Sequence, residues 1–137
     1  MTLSRAQCEE LIAAARQVQG KFPVGVEFFA GGVSAAVRSS GGNIYTGICL
    51  DLACGIGFCA EHAAVADMLK NRETEIHGVV AYSKRGIIPP CGRCRELMAL
   101  VNPKNLDCQV ILSETRIVPL RELLPEHWMA HPGKDIG

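Results

Sequence analysis

The sequence lacks an excess of charge of either sign, since its 137 residues include 14 basic and 14 acidic side chains. A neutral chain is a poor match for a nucleic acid, whose phosphates are bound by clustered Lys and Arg. No window approaches the ~18 uncharged apolar residues of a membrane-spanning helix. Residues 1–20 are interrupted by charges and lack the apolar core of a signal peptide. We therefore expect a cytoplasmic protein that binds neither nucleic acid nor a membrane.

Linkers, internal repeats and low-complexity tracts are also missing. A length of 137 residues fits one domain of ordinary size, and 48% of them are apolar, which is enough to bury a sizeable core. We expect a single domain over residues 1–137.

Apolar periodicity and turn residues predict an alternation of helices and strands. Helices are expected over 4–19, from 58 to about 70, and from Pro89-Pro90 to Asn102; strands are expected over 33–38, 43–48, 76–82, 108–113 and 117–120. The turn signal at 39–42 predicts a hairpin between the first two strands. Helices that separate strands favour an α/β fold, in which a central sheet has parallel pairings across the crossovers.

Cysteine, in contrast, is plentiful, and its spacing indicates chemistry. Seven cysteines without an export signal are expected to be metal ligands or catalytic groups before disulfides. The segments Cys59-Ala-Glu61 and Pro90-Cys-Gly-Arg-Cys94 both lie at predicted helix N-termini. Cys91 and Cys94 are three residues apart and project from one face of a helical turn. A helix N-terminus lowers the pKa of a thiol, and the thiolate is the form that binds metal.

Two such helices packed side by side would bring Cys59 to Cys91 and Cys94. Three protein ligands leave one tetrahedral position open, as in a catalytic zinc site. Zinc lowers the pKa of water in that position from ~16 towards ~7. Glu61, two residues after the first ligand, could take the proton. Arg95, directly after the third ligand, could offset the excess charge of three thiolates.

Other interpretations of these cysteines stay open on spacing alone. A Cys-x-x-Cys pair is common, and Cys59 could be a buried core residue. Cys49 or Cys54 could supply a fourth ligand and close the site as a structural zinc. Cys8 and Cys108 fall in a predicted helix and an apolar strand, which is typical of core residues.

At the two cysteine segments the sequence resembles the cytidine deaminase superfamily. The zinc deaminase signature is His or Cys, any residue and Glu, followed by Pro-Cys-x-x-Cys, and its Glu is not a ligand. The all-cysteine version resembles the small free-nucleoside branch, with cytidine deaminase and blasticidin-S deaminase as the nearest likenesses. The stretches 42–47, 85–95 and 121–125 are similar to both, and the likeness covers most of the chain.

The resemblance implies a three-layer α-β-α fold with a five-stranded mixed sheet. It also implies a homotetramer with active sites shared between subunits, and one zinc ion on Cys59, Cys91 and Cys94. The implied reaction is hydrolysis of the exocyclic amine at C4 of a cytosine ring, with release of ammonia. Glu61 would be the proton shuttle, and the backbone amide of Ala60 would contact the ring carbonyl.

The departures from the resemblance leave the three zinc ligands and Glu61 unchanged. Cys49 and Asp51 stand where cytidine deaminases have an Asn-x-Glu pair that holds the ribose hydroxyls. Gly31 stands where an aromatic residue stacks on the base, so Phe28 or Phe29 would have to replace it. His62 stands where an Arg usually tempers the thiolate charge.

Three functions therefore compete. The first is deamination of cytidine, deoxycytidine or a relative, which makes a small nucleoside or base the expected partner. The second is deamination of blasticidin S or another aminated heterocycle. The third is a structural zinc module, which would have no need of Glu61 beside its ligand. Trp128 is expected either to anchor the C-terminal segment or to reach a neighbouring subunit's site.

Overall fold

The computed structural model describes residues 1–130 and has three α-helices around one mixed sheet. The helices are α1 (Arg5–Val18), α2 (Ala60–Lys70) and α3 (Gly92–Val101). Short 3-10 turns cover Pro103–Asp107, Leu120–Leu123 and Trp128–Ala130. The strands are β1 (Phe22–Gly25), β2 (Phe28–Ser39), β3 (Ile44–Leu52), β4 (Gly57–Phe58), β5 (Ile76–Ser83), β6 (Gly86–Ile88), β7 (Gln109–Ser113) and β8 (Arg116–Pro119).

The sheet has eight strands, which corrects the prediction of five. Its main order is β4-β3-β2-β5-β7-β8, while β1 pairs with β2 and β6 pairs with β5. The three strands that the sequence did not predict are short or carry residues of low strand propensity, such as Pro23 and Gly25 in β1. The five predicted strands are all present.

Only one of the two crossovers gives a parallel pair in the described sheet. Strands β5 and β7, joined through α3, run parallel with Val79 opposite Val110. The α2 crossover leads from β4 to β5, but β3 and β2 lie between them, and every pairing along this path is antiparallel. The expectation of parallel pairing is therefore correct for α3 and wrong for α2, because the β2–β3 hairpin occupies the place beside β5.

Helices cover both faces of the sheet, which confirms the three-layer α-β-α arrangement. Successive β2 residues point to opposite faces, so Ala36 packs with α1 and Val37 packs with α2 and α3. Leu11, Ile12 and Ala15 of α1 are buried against the first face. Met68 of α2 and Met98 of α3 are fully buried against the second. Among the described helices, none is long and apolar enough to cross a membrane.

Local sequence signals explain how α1 begins and how the hairpin turns. The Ser4 hydroxyl accepts from the backbone N–H of Gln7, whose side chain in turn accepts from the N–H of Ser4. The predicted turn between β2 and β3 is closed by the N–H of Gly42, which donates to the carbonyl of Ser39 at 2.9 Å. As expected for a core residue, Cys108 is buried. Cys8 is half-buried and packs against the apolar cluster that α1 forms with the sheet.

Candidate metal centre and active site

The N-termini of α2 and α3 meet at one end of the molecule. Cys59 is the N-cap of α2, and Cys91 is the N-cap of α3. Both have the extended backbone of capping residues, so each thiol leaves the chain just before a helix begins. Cys94 lies one turn into α3, and its N–H donates to the carbonyl of Cys91 at 3.1 Å.

The three thiols converge as the sequence spacing predicts. The Sγ atom of Cys91 is 3.5 Å from that of Cys59 and 3.4 Å from that of Cys94. All three sulfurs lie within 4.8 Å of one another. Sulfurs on a tetrahedral zinc, with Zn–S bonds of ~2.3 Å, stand ~3.8 Å apart. The donor set and its spacing therefore fit a zinc ion, with only small adjustments of the side chains.

The cluster stops at three ligands within the part of the chain that the structure describes. Cys49 and Cys54, the candidates for a fourth ligand, are not part of it. Cys49 is buried beside Asp51, while Cys54 is exposed in the turn before β4. Three ligands would leave one tetrahedral position of a zinc ion open, as in catalytic zinc sites.

A glycine in β3 allows α2 to approach the sheet at this point. A Cβ atom at Gly47 would lie 2.5 Å from the carbonyl oxygen of Ala60 and 2.6 Å from the Cβ of Ala63. Any larger residue would therefore push the first turn of α2 away from β3. The close approach fixes the position of Cys59 and Glu61, which begin the same helix.

The electrostatics of the thiols differ with their depth. Burial raises the pKa of Cys59 and, more strongly, that of Cys94. Burial also acts to raise the pKa of Cys91, but hydrogen bonds from the N–H groups of Cys94 and Arg93 and from the neighbouring thiols outweigh it, so that pKa is lowered. A bound divalent cation would supply the charge needed to ionise the buried thiols.

Glu61 is a buried carboxyl group directly beside the cluster. The residue is only 4% exposed, and burial raises its pKa above the usual value. A raised pKa makes a carboxyl group a better proton acceptor than an ordinary surface carboxylate, which suits a general acid and base. A purely structural metal site gives no reason to bury an acid at this place.

The two residues expected to temper the thiolate charge are placed differently. His62 Nδ1 lies 3.4 Å from the Sγ of Cys94, so a ring protonated on Nδ1 can donate to that sulfur. Burial, followed by the charge of Arg93, lowers the pKa of His62, and a neutral ring can still donate. Arg95 instead donates to the carbonyls of Pro90 and Leu123, at 2.8 and 3.1 Å. Arg95 therefore holds the loop before Cys91 and makes no hydrogen bond to a thiol among the described contacts.

A cleft of about 290 Å³ opens beside the cluster, at the small end of the range for ligand sites. It is lined by residues of β2, β3, β4 and β6 and by the starts of α2 and α3: Val33, Cys49, Leu50, Asp51, Gly57, Phe58, Cys59, Ala60, Glu61, Ile88, Pro89, Cys91 and Arg93. The sequence-predicted residues Ala60, Cys49 and Asp51 are thus brought to Glu61. Phe28 is not among the lining residues, although its strand forms part of the same sheet.

Cys49 and Asp51 form a linked pair on the wall of this cleft. The Sγ of Cys49 accepts from the N–H of Val33 at 3.2 Å and lies 3.7 Å from Asp51 Oδ2. Cys49 is buried and Asp51 is exposed, and both line the cleft. A thiol is the weakest of donors, and most of the hydrogen-bonding capacity of the Asp51 carboxylate therefore stays available to a ligand.

The aromatic residue at the cleft is Phe58, which the sequence analysis missed. Phe58 lies directly before Cys59, and its ring packs edge-on against His62 with centroids 5.9 Å apart. Gly31 cannot carry the expected aromatic side chain, because its φ is 82° and a Cβ would lie 2.3 Å from the carbonyl oxygen of Gly20. Phe29 is 41% exposed and packs under the ammonium of Lys21. An aromatic residue adjacent to the first ligand was the available sequence signal.

Two further residues, Arg93 and Trp128, lie in or beside α3. Arg93, also missed, lines the cleft and donates from Nη2 to the carbonyl of Gly57 at 3.2 Å. Trp128 is 59% exposed, and its backbone N–H donates to Glu96 Oε1 at 3.1 Å. Trp128 therefore does not fill the core of its own subunit, and the backbone bond to Glu96 ties its segment to α3.

No protein-family model matches the chain, but solved structures are similar in fold. Cytidine deaminase from Mycobacterium tuberculosis aligns with a TM-score of 0.73 and 23% identity, covering 88% of this chain and 96% of that one. Cytidine deaminase from Burkholderia pseudomallei aligns with a TM-score of 0.67 and 24% identity, covering 88% of this chain and 98% of that one. Cytidine deaminase from Bacillus anthracis aligns with a TM-score of 0.63 and 21% identity, covering 90% of this chain and 89% of that one. The chain therefore has the cytidine deaminase fold, with a three-cysteine cluster that fits a metal ion at the start of two of its helices.

Proposed function

We propose that this protein is a zinc-dependent hydrolytic deaminase of a cytosine-type nucleoside or a related aminated heterocycle. One observation carries the proposal: three cysteine sulfurs converge beside a buried carboxyl group at the end of an open cleft. A structural zinc site has no use for the acid or for the cleft. The similarity of the fold to cytidine deaminases supports the same reaction class.

The chain's own groups divide the work of the reaction. Cys59, Cys91 and Cys94 would hold zinc, which supplies the Lewis acidity that makes water a nucleophile near neutral pH. Glu61 would take one proton from that water and pass it to the ring nitrogen, and would then pass the second, from the new hydroxyl group on the ring carbon, to the leaving amine. A C–O bond forms, the C–N bond breaks, and ammonia leaves. The backbone N–H of Ala60, in the first turn of α2 and without an intrahelical acceptor, would hold the ring carbonyl.

The residues around the reacting ring indicate how the substrate is held. Phe58 offers an aromatic edge or face to a flat base, and stacking of this kind is worth ~1–3 kcal/mol. Cys49 offers a weak donor, and Asp51 offers a short carboxylate. The Asn-x-Glu pair of cytidine deaminases, an amide and a longer carboxylate, would form hydrogen bonds to the ribose hydroxyls at these positions. We infer that cytidine is accepted less well than a modified cytosine compound. Blasticidin S or another aminated heterocycle is the alternative substrate class.

We propose that the active form is a homotetramer, with neighbouring subunits closing the clefts. Exposed apolar side chains support an interface at the β1 end of the sheet, where Phe22, Val24 and Val26 are 47, 53 and 97% exposed. Static light scattering at micromolar concentration tests this, because a monomeric mass would contradict a shared site. A cytoplasmic location and the lack of nucleic-acid binding stay predictions.

The experiment that tests the proposed function is a measurement of ammonia release. Zinc-loaded protein is incubated with cytidine, deoxycytidine, blasticidin S, cytosine and a set of aminated purines, with metal-free protein as the control. Metal-dependent ammonia release from at least one compound supports deamination. Fully metal-loaded protein that releases no more ammonia from any compound than the control does would contradict it.

A further inference from the structure

A second cavity, of about 570 Å³, adjoins the candidate active site, and three of its eight lining residues are cationic. The three are Lys21, Lys84 and Arg85, and none of the lining residues is acidic. Gly20 and Gly32 line the same cavity without side chains, which leaves room in front of the cations. The composition is unlike the chain as a whole, where acidic and basic residues are equal in number.

These cations are not neutralised within the part of the chain that the structure describes. The ion pairs of residues 1–130 use other basic residues: Arg5, Arg38, Lys70, Lys104 and Arg121. Lys21 lies over the ring of Phe29, with its Nζ 4.6 Å from the centroid, and an aromatic ring brings no counter-charge. Unpaired like charges around one cavity repel one another, and a bound anion relieves that repulsion.

The turn that carries two of the cations is held in place. Lys84 and Arg85 form the tip between β5 and β6, where Ser83 pairs with Gly86. The Ser83 hydroxyl accepts from the N–H of Arg85 at 3.1 Å and donates to the carbonyl of Gly86 at 3.3 Å. The backbone beneath both cations is therefore fixed before any ligand binds, which lowers the entropic cost of binding.

The cationic cavity and the catalytic cleft share a wall. Ile88, the last residue of β6, lines both. Of two adjacent residues in β2, Gly32 lines the cationic cavity and Val33 lines the catalytic cleft. Strand β6 leads from the cationic turn towards Cys91 and spans ~10 Å at ~3.3 Å per residue. A substrate whose amine lies at the metal centre can therefore extend over Ile88 into the cationic cavity.

We propose that Lys21, Lys84 and Arg85 form a subsite for an anionic group, a phosphate or a carboxylate, on the part of the substrate remote from its amine. This inference rests on the proposed function, because it assumes that the cleft holds the reacting ring. It refines the substrate class from a neutral nucleoside to an anionic derivative. Arg and Lys suit both anions, since guanidinium binds either in a bidentate manner and ammonium binds either as a point charge.

The test measures binding rather than turnover. Zinc-loaded Glu61→Gln protein, which should not consume its ligand, is titrated calorimetrically with cytidine, cytidine 5′-monophosphate and the 5′-carboxylate of cytidine. The same titrations are repeated after Lys84→Gln and Arg85→Gln are added together. Lys70→Gln with Arg116→Gln is the matched control, because it removes the same charge from exposed positions outside both cavities.

We expect at least one anionic ligand to bind ~10-fold or more tightly than cytidine, since charge-assisted hydrogen bonds exceed neutral ones in strength. The Lys84 and Arg85 changes should abolish that advantage, and the control should keep it. The favoured ligand then tells phosphate from carboxylate. Equal binding of all three ligands, or an advantage that survives these changes or falls equally in the control, would overturn the subsite.

A failure of the proposed function looks different. In that case none of the three cytosine compounds binds. Inorganic phosphate is then titrated into the same zinc-loaded Glu61→Gln protein. Phosphate binding that the Lys84 and Arg85 changes weaken ~10-fold, and that the control retains, upholds the anion site without the deaminase assignment. Phosphate binding that is absent or insensitive to these changes overturns the anion site as well.

Discussion

Cys59 and Cys91 begin two different helices, and their Sγ atoms lie 3.5 Å apart. Each thiol therefore stands where helix N–H groups lack intrahelical partners and where the helix dipole favours negative charge. Cys94, one turn further along α3, completes a triangle of sulfurs. The Cys91-x-x-Cys94 motif of α3 and Cys59 of α2 can therefore form a metal site from helix N-termini alone.

Zinc should bind at one ion per chain and depend on all three cysteines. Cys59→Ala, Cys91→Ala and Cys94→Ala should each leave two thiols and lose most of the metal, because a ligand of a charged site is removed. Cys54→Ala is the matched control, since Cys54 is exposed and outside the cluster. Elemental analysis after expression in zinc-supplemented medium measures the content. Full zinc retention in all three variants would show that the metal site is elsewhere.

Gly47→Ala should destabilise the protein and weaken its zinc site together. The added methyl group would meet the Ala60 carbonyl at 2.5 Å, and overpacking of this kind costs ~1–3 kcal/mol. The first turn of α2 would shift, and Cys59 shifts with it. Gly25→Ala is the control, because a Cβ there meets nothing within 4 Å. Thermal unfolding and a zinc competition titration measure the two effects; a normal zinc affinity would contradict the positioning role of Gly47.

Glu73 should give the protein a stability that acid removes. Hydrogen bonds from Tyr45, Asn43 and Ser39 lower the pKa of the Glu73 carboxyl group below its usual value of 4.5. A lowered native pKa stabilises the fold above the unfolded value, and this stability is lost as the pH falls through the native value. The same contact raises the pKa of Tyr45 to about 12, so Tyr45 stays protonated and donates throughout.

The expected result is that Glu73→Gln is less stable than wild type at pH 7 and that the difference shrinks from about pH 5 to pH 3. Urea unfolding at a series of pH values measures the difference. Glu114→Gln serves as the control, because Glu114 is exposed in the turn between β7 and β8. A stability difference that stays constant down to pH 3 would show that the Glu73 charge makes no contribution.

Much of the fold was predictable because its helices and long strands carry clear periodic patterns. The sequence could also predict that Cys59 would meet Cys91 and Cys94, since helix N-termini and i, i+3 spacing are local signals. The number of strands was wrong because β1, β4 and β6 depend on pairing with a neighbour and not on a pattern of their own. Pairing of this kind is decided by tertiary structure.

The walls of the cleft were less predictable than the metal ligands. The resemblance places a stacking aromatic residue near Gly31 and so predicts Phe28 or Phe29, but the pairing of β2 with β3 is irregular between Ala30 and Ser34. Phe58 reaches the cleft instead, from beside the first ligand. Arg95 was expected to face the thiols because it follows Cys94, yet two backbone carbonyls hold its guanidinium elsewhere.

The Cys49 and Asp51 pair should make the site a poor one for cytidine. Replacing both, as Cys49→Asn with Asp51→Glu, is expected to raise kcat/KM for cytidine ~10-fold or more, because an amide and a longer carboxylate can pair with the ribose hydroxyls. Dideoxycytidine is the control, since it lacks those hydroxyls and should gain nothing. Equal gains on both compounds would exclude a role in sugar recognition. A wild-type kcat/KM for cytidine near ~10⁶ M⁻¹s⁻¹ would contradict the prediction at the outset.

The most direct test of the account is the turnover of Glu61→Ala relative to its zinc content. Loss of a positioned general acid and base typically costs ~10²–10⁴-fold, and Glu61 serves several proton transfers here. We predict that the variant keeps one zinc per chain and a normal unfolding temperature, while ammonia release from the preferred substrate falls at least ~100-fold. A variant that keeps its zinc and more than about a tenth of the wild-type rate would contradict the role of Glu61.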